Sequence, residues 1–332
     1  MDLRRSQTHQ NARWKSVGLR LQRRDLLFAM SRWPKLFSIV LLALITLGAG
    51  VILQISSQNA DLLIHRIPPP EGLKDAAATV GLDYEDVALT TGDGLRLAAW
   101  YIPSQNGAAI IAQHGYHASR DEMINEAQML ARHGYGVLMF DARAHGYSDG
   151  DLITFGLKEI ADTRAAIDYL LTRPDVDAGR IGALGNSQGA VTLILATAQY
   201  PEIKALVGDS PYAALQDEIA TGVKAFTGLS PFPFAPLIQF FAERKAGFTA
   251  DSVAPIHHIA QIAPRPVFLM QGGADSLIPI DSGRRLYDAA GEPKALWFDP
   301  ALGHVQFDTA RADEYERRVV EFFNAYLLGE GE

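Results

Sequence analysis

Six short apolar runs constrain this chain more than any other feature: AIIAQHG (109–115), GVLMFD (136–141), RIGALG (180–185), KALVGD (204–209), RPVFLMQG (265–272) and KALWFD (294–299). Between them, residues 121–133, 157–171, 187–199, 282–290 and 311–327 have helical length and spacing. A strand that is apolar at consecutive positions has no face to give to water. Strands of this kind, alternating with helices, predict an α/β fold with a mostly parallel sheet covered by helices on both sides. Ahead of them, YEDVALTT and LRLAAWYI flank Gly92-Asp93-Gly94 and read as a hairpin. In such sheets the chemistry gathers at the carboxyl ends of the strands, and each of the six runs ends in a short polar cluster.

The third run leads into IGALGNSQGA (181–190), with three glycines in close succession. A glycine-rich turn between strand and helix can cradle a phosphate or hold a serine on a sharp bend. The phosphate reading fails on spacing, because the glycines follow G-x-x-G-x-x-x-G and about 100 residues of strand pattern precede them. Gly185-Asn186-Ser187-Gln188-Gly189 fits G-x-S-x-G instead. Gly185 and Gly189 then make room for the bend, and Ser187 stands at a helix N-terminus where negative charge is favoured.

A serine hydroxyl is a poor nucleophile until a base takes its proton, and the imidazole that does so must be held in one tautomer by a carboxylate. Asp275 in GGADSLIPI follows the fifth run, and His304 in ALGHVQF follows the sixth. Taken together, YEDVALTTGDGLRLAAWYIP, HGYHASRDE, DARAHGYSDG, GNSQG and the GGADSLIP–GHVQF pair resemble the α/β-hydrolase superfamily over about residues 80–328. Within it the resemblance is to membrane-anchored serine hydrolases of the Bem-like and serine-aminopeptidase-like group. It implies an α/β-hydrolase fold, Ser187 as nucleophile, Asp275 as acid and His304 as base. It further implies an oxyanion hole made by the backbone N–H groups of Tyr116 and Gln188. No cofactor or metal enters that chemistry, which would act on a small-molecule or lipid-like acyl substrate, cleaving esters or thioesters. A serine-aminopeptidase-like peptidase is the alternative reading, and a non-catalytic membrane-tethered protein a more distant one.

Other residues carry less. His114 lies on the loop that the resemblance assigns to the oxyanion hole, and His145 in DARAHGYSDG, a loop that resembles the family's structural brace. Asp209 is a fallback acid at the end of the fourth run. His257 and His258 are adjacent and point apart, with no carboxylate cluster to complete a metal site. Residues 210–264 break the strand–helix rhythm and hold six of the 15 phenylalanines, which predicts a short cap-like insertion over the site. Most of those rings are expected to pack between helices.

The N-terminal region is separate in character. Residues 1–35 carry nine basic side chains against Asp2 and Asp25, a net +7, so that the overall −8 leaves −15 for the rest. LFSIVLLALITLGAGVIL (36–53) follows, 18 almost wholly apolar residues, roughly 27 Å long as a helix. The charge asymmetry predicts a basic cytoplasmic segment (1–35), a transmembrane signal anchor (36–55), a linker (56–83) carrying Pro68-Pro69-Pro70, and a catalytic domain (84–328) outside the cytoplasm. A cleaved signal peptide is the competing expectation. Met30 also opens a segment with the form of a signal anchor. The basic block is read as lipid-side or cytoplasmic charge with no nucleic-acid partner, and the absence of cysteine removes disulfides and thiolate chemistry.

Overall fold

All six apolar runs become strands of one sheet in the computed structural model, which describes residues 35–329. The expected basic segment therefore lies outside the described residues, Lys35 excepted. The eight strands are β1 (Glu85–Thr90), β2 (Arg96–Ile102), β3 (Ala109–Gln113), β4 (Gly136–Phe140), β5 (Ile181–Asn186), β6 (Ile203–Asp209), β7 (Val267–Gly272) and β8 (Lys294–Asp299). Their order is β1-β2-β4-β3-β5-β6-β7-β8. The hairpin strands run antiparallel, and β4, β3, β5, β6, β7 and β8 pair in parallel.

Among the described residues, the helices of eight or more residues are α1 (Lys35–Ile64), α2 (Ile124–Arg132), α3 (Ile160–Leu171), α4 (Gln188–Gln199), α5 (Leu215–Thr227), α6 (Pro231–Ala246), α7 (Ser282–Ala289) and α8 (Ala312–Phe323). Five of them occupy the stretches in which helical spacing was read. Every residue of β3, β4 and β5 is buried, and neighbours along a strand serve opposite faces. Ile110 and Met139 join one core with Trp100, Val207 and Phe323, whereas Ile111 and Leu138 join another with Tyr101, Ile194 and Leu206. The double-sided apolar pattern is thus explained by helix on both faces.

The chain divides between Ile55 and Ser56. On the N-terminal side, α1 is exposed at nearly every position, and the 18-residue window of the helix has a mean hydropathy of 2.7 with none of it buried. Residues 56–83, expected as a linker, instead contribute to the second unit. Ala60 and Ile64 are fully buried in an apolar cluster with Val191, Ile238 and Phe248, and Leu73 and Ala77 are buried in the first core. The reason is spacing: Ala60, Leu63 and Ile64 recur at helical intervals, and this short apolar stripe is hidden by its polar neighbours when composition is averaged.

Residues 210–264 form a helical insertion built on α5 and α6. Its phenylalanines divide three ways. Phe248 is buried, Phe234 and Phe241 are half-buried against the cluster, and Phe226, Phe232 and Phe240 are exposed.

Candidate active site

Ser187 sits between the last residue of β5 and the first of α4 with φ 52° and ψ −118°, a backbone state that a side chain disfavours. Neighbouring backbone holds it there: Ser187 N–H donates to the Asp209 carbonyl at 2.8 Å, and its own carbonyl accepts from Val191 N–H at 3.1 Å. The flanking glycines are steric necessities. A Cβ on Gly189 would lie 2.2 Å from the Gln113 carbonyl oxygen, and one on Gly185 would lie 2.7 Å from the Ala190 nitrogen. Gly182 answers a different demand, since a Cβ there would meet Ile110 at 2.7 Å and Phe323 of α8 at 2.9 Å.

Asp275 lies three residues past β7 and His304 five past β8. Their loops are tied by Gly273 N–H to the Asp299 carbonyl and Ala274 N–H to the Leu302 carbonyl, each at 2.8 Å. This approach is close enough that a Cβ on Gly272 would fall 2.4 Å from two carbonyl oxygens. His304 Nε2 stands 2.9 Å from Ser187 Oγ, and Nδ1 stands 2.8 Å from Asp275 Oδ2. A carboxylate only accepts, so Nδ1 carries the proton and Nε2 is left to accept from the serine hydroxyl. Asp275 Oδ1 accepts from the N–H groups of Leu277 and Ile278 at 2.8 and 3.0 Å. Burial pushes the Asp275 carboxyl up, but His304 and these two amides outweigh it and hold it below the ordinary carboxylate value. A hydroxyl, an imidazole and a fixed carboxylate in this sequence can relay a proton off the hydroxyl.

The loop after β3 passes close to Ser187: a Cβ on Gly115 would lie 3.3 Å from that of Ser187. Gly115 N–H donates to Glu122 Oε2 at 2.6 Å. Glu122 was not singled out in the sequence, although it is the last letter of HGYHASRDE. Its role depends on a fold-back over seven residues that no spacing rule announces. Burial raises its carboxyl above the usual value, against the lowering pull of the Gly115 bond and of His304. Tyr116, next on the loop, fixes its hydroxyl on the Leu63 carbonyl at 2.8 Å. Gln188 is the first residue of α4, where the N–H has no helical carbonyl before it to meet. Tyr116, Ser187, Gln188 and His304 all border the same cavity.

The lesser candidates are braces or bystanders. His114 is buried, with Nδ1 on the Gly115 carbonyl at 2.7 Å and Nε2 accepting from Ala142 N–H at 3.0 Å. His145 is also buried, and burial lowers both imidazoles to about 4. The DARAHGYSDG loop is locked by ion pairs, Arg120–Asp141 and Arg143–Asp162, each at 2.7 Å. Asp209 accepts from Ser210 Oγ at 2.8 Å, and it is Asp275 that His304 engages. Beneath the bend, Asn186 Nδ2 donates to the buried Glu126 at 3.1 Å. His257 lies on a short helical turn far along the insertion and is exposed, with His258 half-buried.

The cavity above Ser187 measures about 440 Å³ and is largely apolar, with Phe155, Leu215, Val223, Phe226, Ile238 and Phe248 in its wall. Phe226 of α5 lies over the loop after β3, its ring 5.0 Å from that of Tyr116 and 5.4 Å from that of His117.

Known proteins share this architecture. The esterase Pf2001 of Pyrococcus furiosus is 30% identical and superposes with a TM-score of 0.64, over 79% of this chain and 98% of that one. An α/β-hydrolase domain-containing protein of Arabidopsis thaliana, WAV2, is 28% identical over 295 residues, 84% of this chain and 91% of its own. The uncharacterized protein Rv2307c of Mycobacterium tuberculosis is 32% identical over 260 residues, 77% of this chain and 84% of its own. The chain belongs to the α/β-hydrolase superfamily. Residues 93–232 of this α/β-hydrolase also match the family model of X-Pro dipeptidyl-peptidase (S15 family). That match includes Ser187 and ends before Asp275 and His304.

Proposed function

We propose that this α/β-hydrolase is a serine esterase that cleaves carboxylic or thioester bonds of lipophilic acyl groups. The observation that carries the reading is the Ser187–His304–Asp275 chain of hydrogen bonds, at 2.9 and 2.8 Å, opening onto an apolar cavity. Ser187 Oγ attacks the acyl carbonyl while its proton passes to His304 Nε2. The N–H groups of Tyr116 and Gln188 receive the oxyanion of the tetrahedral intermediate. His304 then returns the proton to the leaving alcohol or thiol as the C–O or C–S bond breaks, leaving acyl-Ser187. Water, deprotonated by His304, attacks that acyl group, and the released serine oxygen takes the proton back. Asp275 keeps the imidazole in one tautomer and offsets its charge throughout.

The apolar wall and the likeness to an esterase favour acyl esters. The partial match to a peptidase family favours amide substrates and defines the competing reading. Rates on nitrophenyl esters of graded acyl length, run beside aminoacyl anilides, separate the two. The esterase reading expects the esters to be cleaved faster at every matched concentration, and faster cleavage of the anilides would replace it with the peptidase. We further propose that the exposed apolar helix α1 holds the chain in a membrane as a signal anchor, with the catalytic domain outside the cytoplasm.

A further inference from the structure

One acidic side chain in the cavity wall takes no part in the relay. Glu218 on α5 is 7% exposed and borders the cavity together with Ile219, Val223, Ile238 and Leu277. Its buried Oε1 has no hydrogen-bond partner among the described residues. The charged groups that act on it are Asp275 and Asp217, both acids, and each of those already has a partner, His304 at 2.8 Å and Arg285 at 2.7 Å. Native proteins rarely leave a buried carboxyl unmet, because stripping it of water without a replacement bond is costly. An unmet carboxyl on a side chain that borders the cavity is therefore an opening for a substrate group.

The chemistry of that group follows from the state of the carboxyl. Burial, reinforced by the two aspartates, raises it to about 8, so it keeps its proton near neutral pH. A neutral carboxylic acid offers one O–H donor and a free acceptor. An alcohol offers the same pair in reverse and brings no charge into an apolar space. An ammonium group would have to leave water itself and force Glu218 to ionise beside Asp275. We propose that Glu218 is a specificity residue that selects acyl chains bearing a hydroxyl over plain hydrocarbon chains, by exchanging hydrogen bonds with that hydroxyl inside the cavity. The proposal rests on the esterase reading and adds the substrate class to it. It places this enzyme downstream of a reaction that hydroxylates or hydrates an acyl chain.

The test uses the full chain in detergent micelles. Three sets of nitrophenyl esters of graded length are compared by kcat/KM: plain acyl, ω-hydroxyacyl and ω-ammonioacyl. The wild type is expected to prefer the hydroxyl series by about tenfold at its best length, the scale of one net buried hydrogen bond. Glu218→Gln, whose amide both donates and accepts, is expected to keep most of that preference. Glu218→Leu is expected to bring the ratio to one or below, with thermal melting followed to confirm that both variants fold. Equal rates on plain and hydroxyl esters in the wild type, or a preference that survives in Glu218→Leu, would overturn the assignment while leaving the esterase reading intact. Preference for the ammonium series, lost in Glu218→Gln, would overturn it in favour of a cation subsite. Failure to cleave any ester would defeat the esterase reading and this one with it.

Discussion

At the scale of single residues, the bend at Ser187 shows how few side chains its geometry tolerates. The positions that must be glycine are those where a Cβ would strike backbone, and those clashes repeat at fixed spacing, so G-x-S-x-G could be read from sequence. Buried acids are a different matter. Glu126 lies beneath the bend with its carboxyl raised to about 8, chiefly by burial and then by the charge of Asp308. An acid raised from 4.5 to about 8 on folding keeps its proton in the folded state after the unfolded chain has lost it. The resulting stability is full below about pH 4.5 and is lost as pH rises through about 8. Asp209, raised to about 7, adds to the same decline. Glu126→Gln keeps an oxygen that accepts from Asn186 and cannot ionise. Thermal melts from about pH 5 to about pH 9 are expected to fall less steeply in this variant than in the wild type, and parallel slopes would remove Glu126 from the account.

At the scale of elements, the site is assembled by the ends of β3, β5, β7 and β8, which the parallel sheet brings to one edge. The strands were legible because burial on both faces leaves an uninterrupted apolar run, and Asp275 and His304 were legible because they follow two of those runs. What the sequence hid was the fold-back of the loop after β3, where Glu122 anchors Gly115, and the stripe of Ala60 and Ile64 among polar neighbours. The first rests on a contact that no spacing rule announces, and the second on a helical stripe that averaged composition conceals. The loop gives a direct prediction. Glu122→Ala leaves the Gly115 N–H without its acceptor, and the Tyr116 amide is then expected to drift from the oxyanion position proposed for it. The expected result is a fall in kcat of about tenfold or more, on the way to the 10²–10³ loss of a missing oxyanion donor. Glu122→Gln, whose amide oxygen can accept, is expected to recover most of it. Steady-state kinetics on one ester decides, and an alanine variant with wild-type kcat would contradict the role.

At the scale of the whole molecule, the chain divides at Ile55, yet the second unit begins inside what composition alone presents as a polar stalk. A chain starting at Ser56 keeps Ala60 and Ile64 in their cluster and is expected to fold and retain esterase activity without detergent. A chain starting after Ile67 loses those buried side chains, of which Ile64 alone is worth about 1.5–3 kcal/mol on burial. It is expected to melt several degrees lower. Equal melting temperatures for the two truncations would mean that residues 56–67 do act as a spacer.

The covalent acyl intermediate proposed on Ser187 can be trapped. The purified full chain is treated with an alkyl fluorophosphonate, digested, and its peptides weighed. One modified site is expected, Ser187, with labelling abolished in His304→Ala and activity lost in proportion to labelling. Full esterase turnover with Ser187 unmodified, or label on a different residue with Ser187→Ala still active, would contradict it.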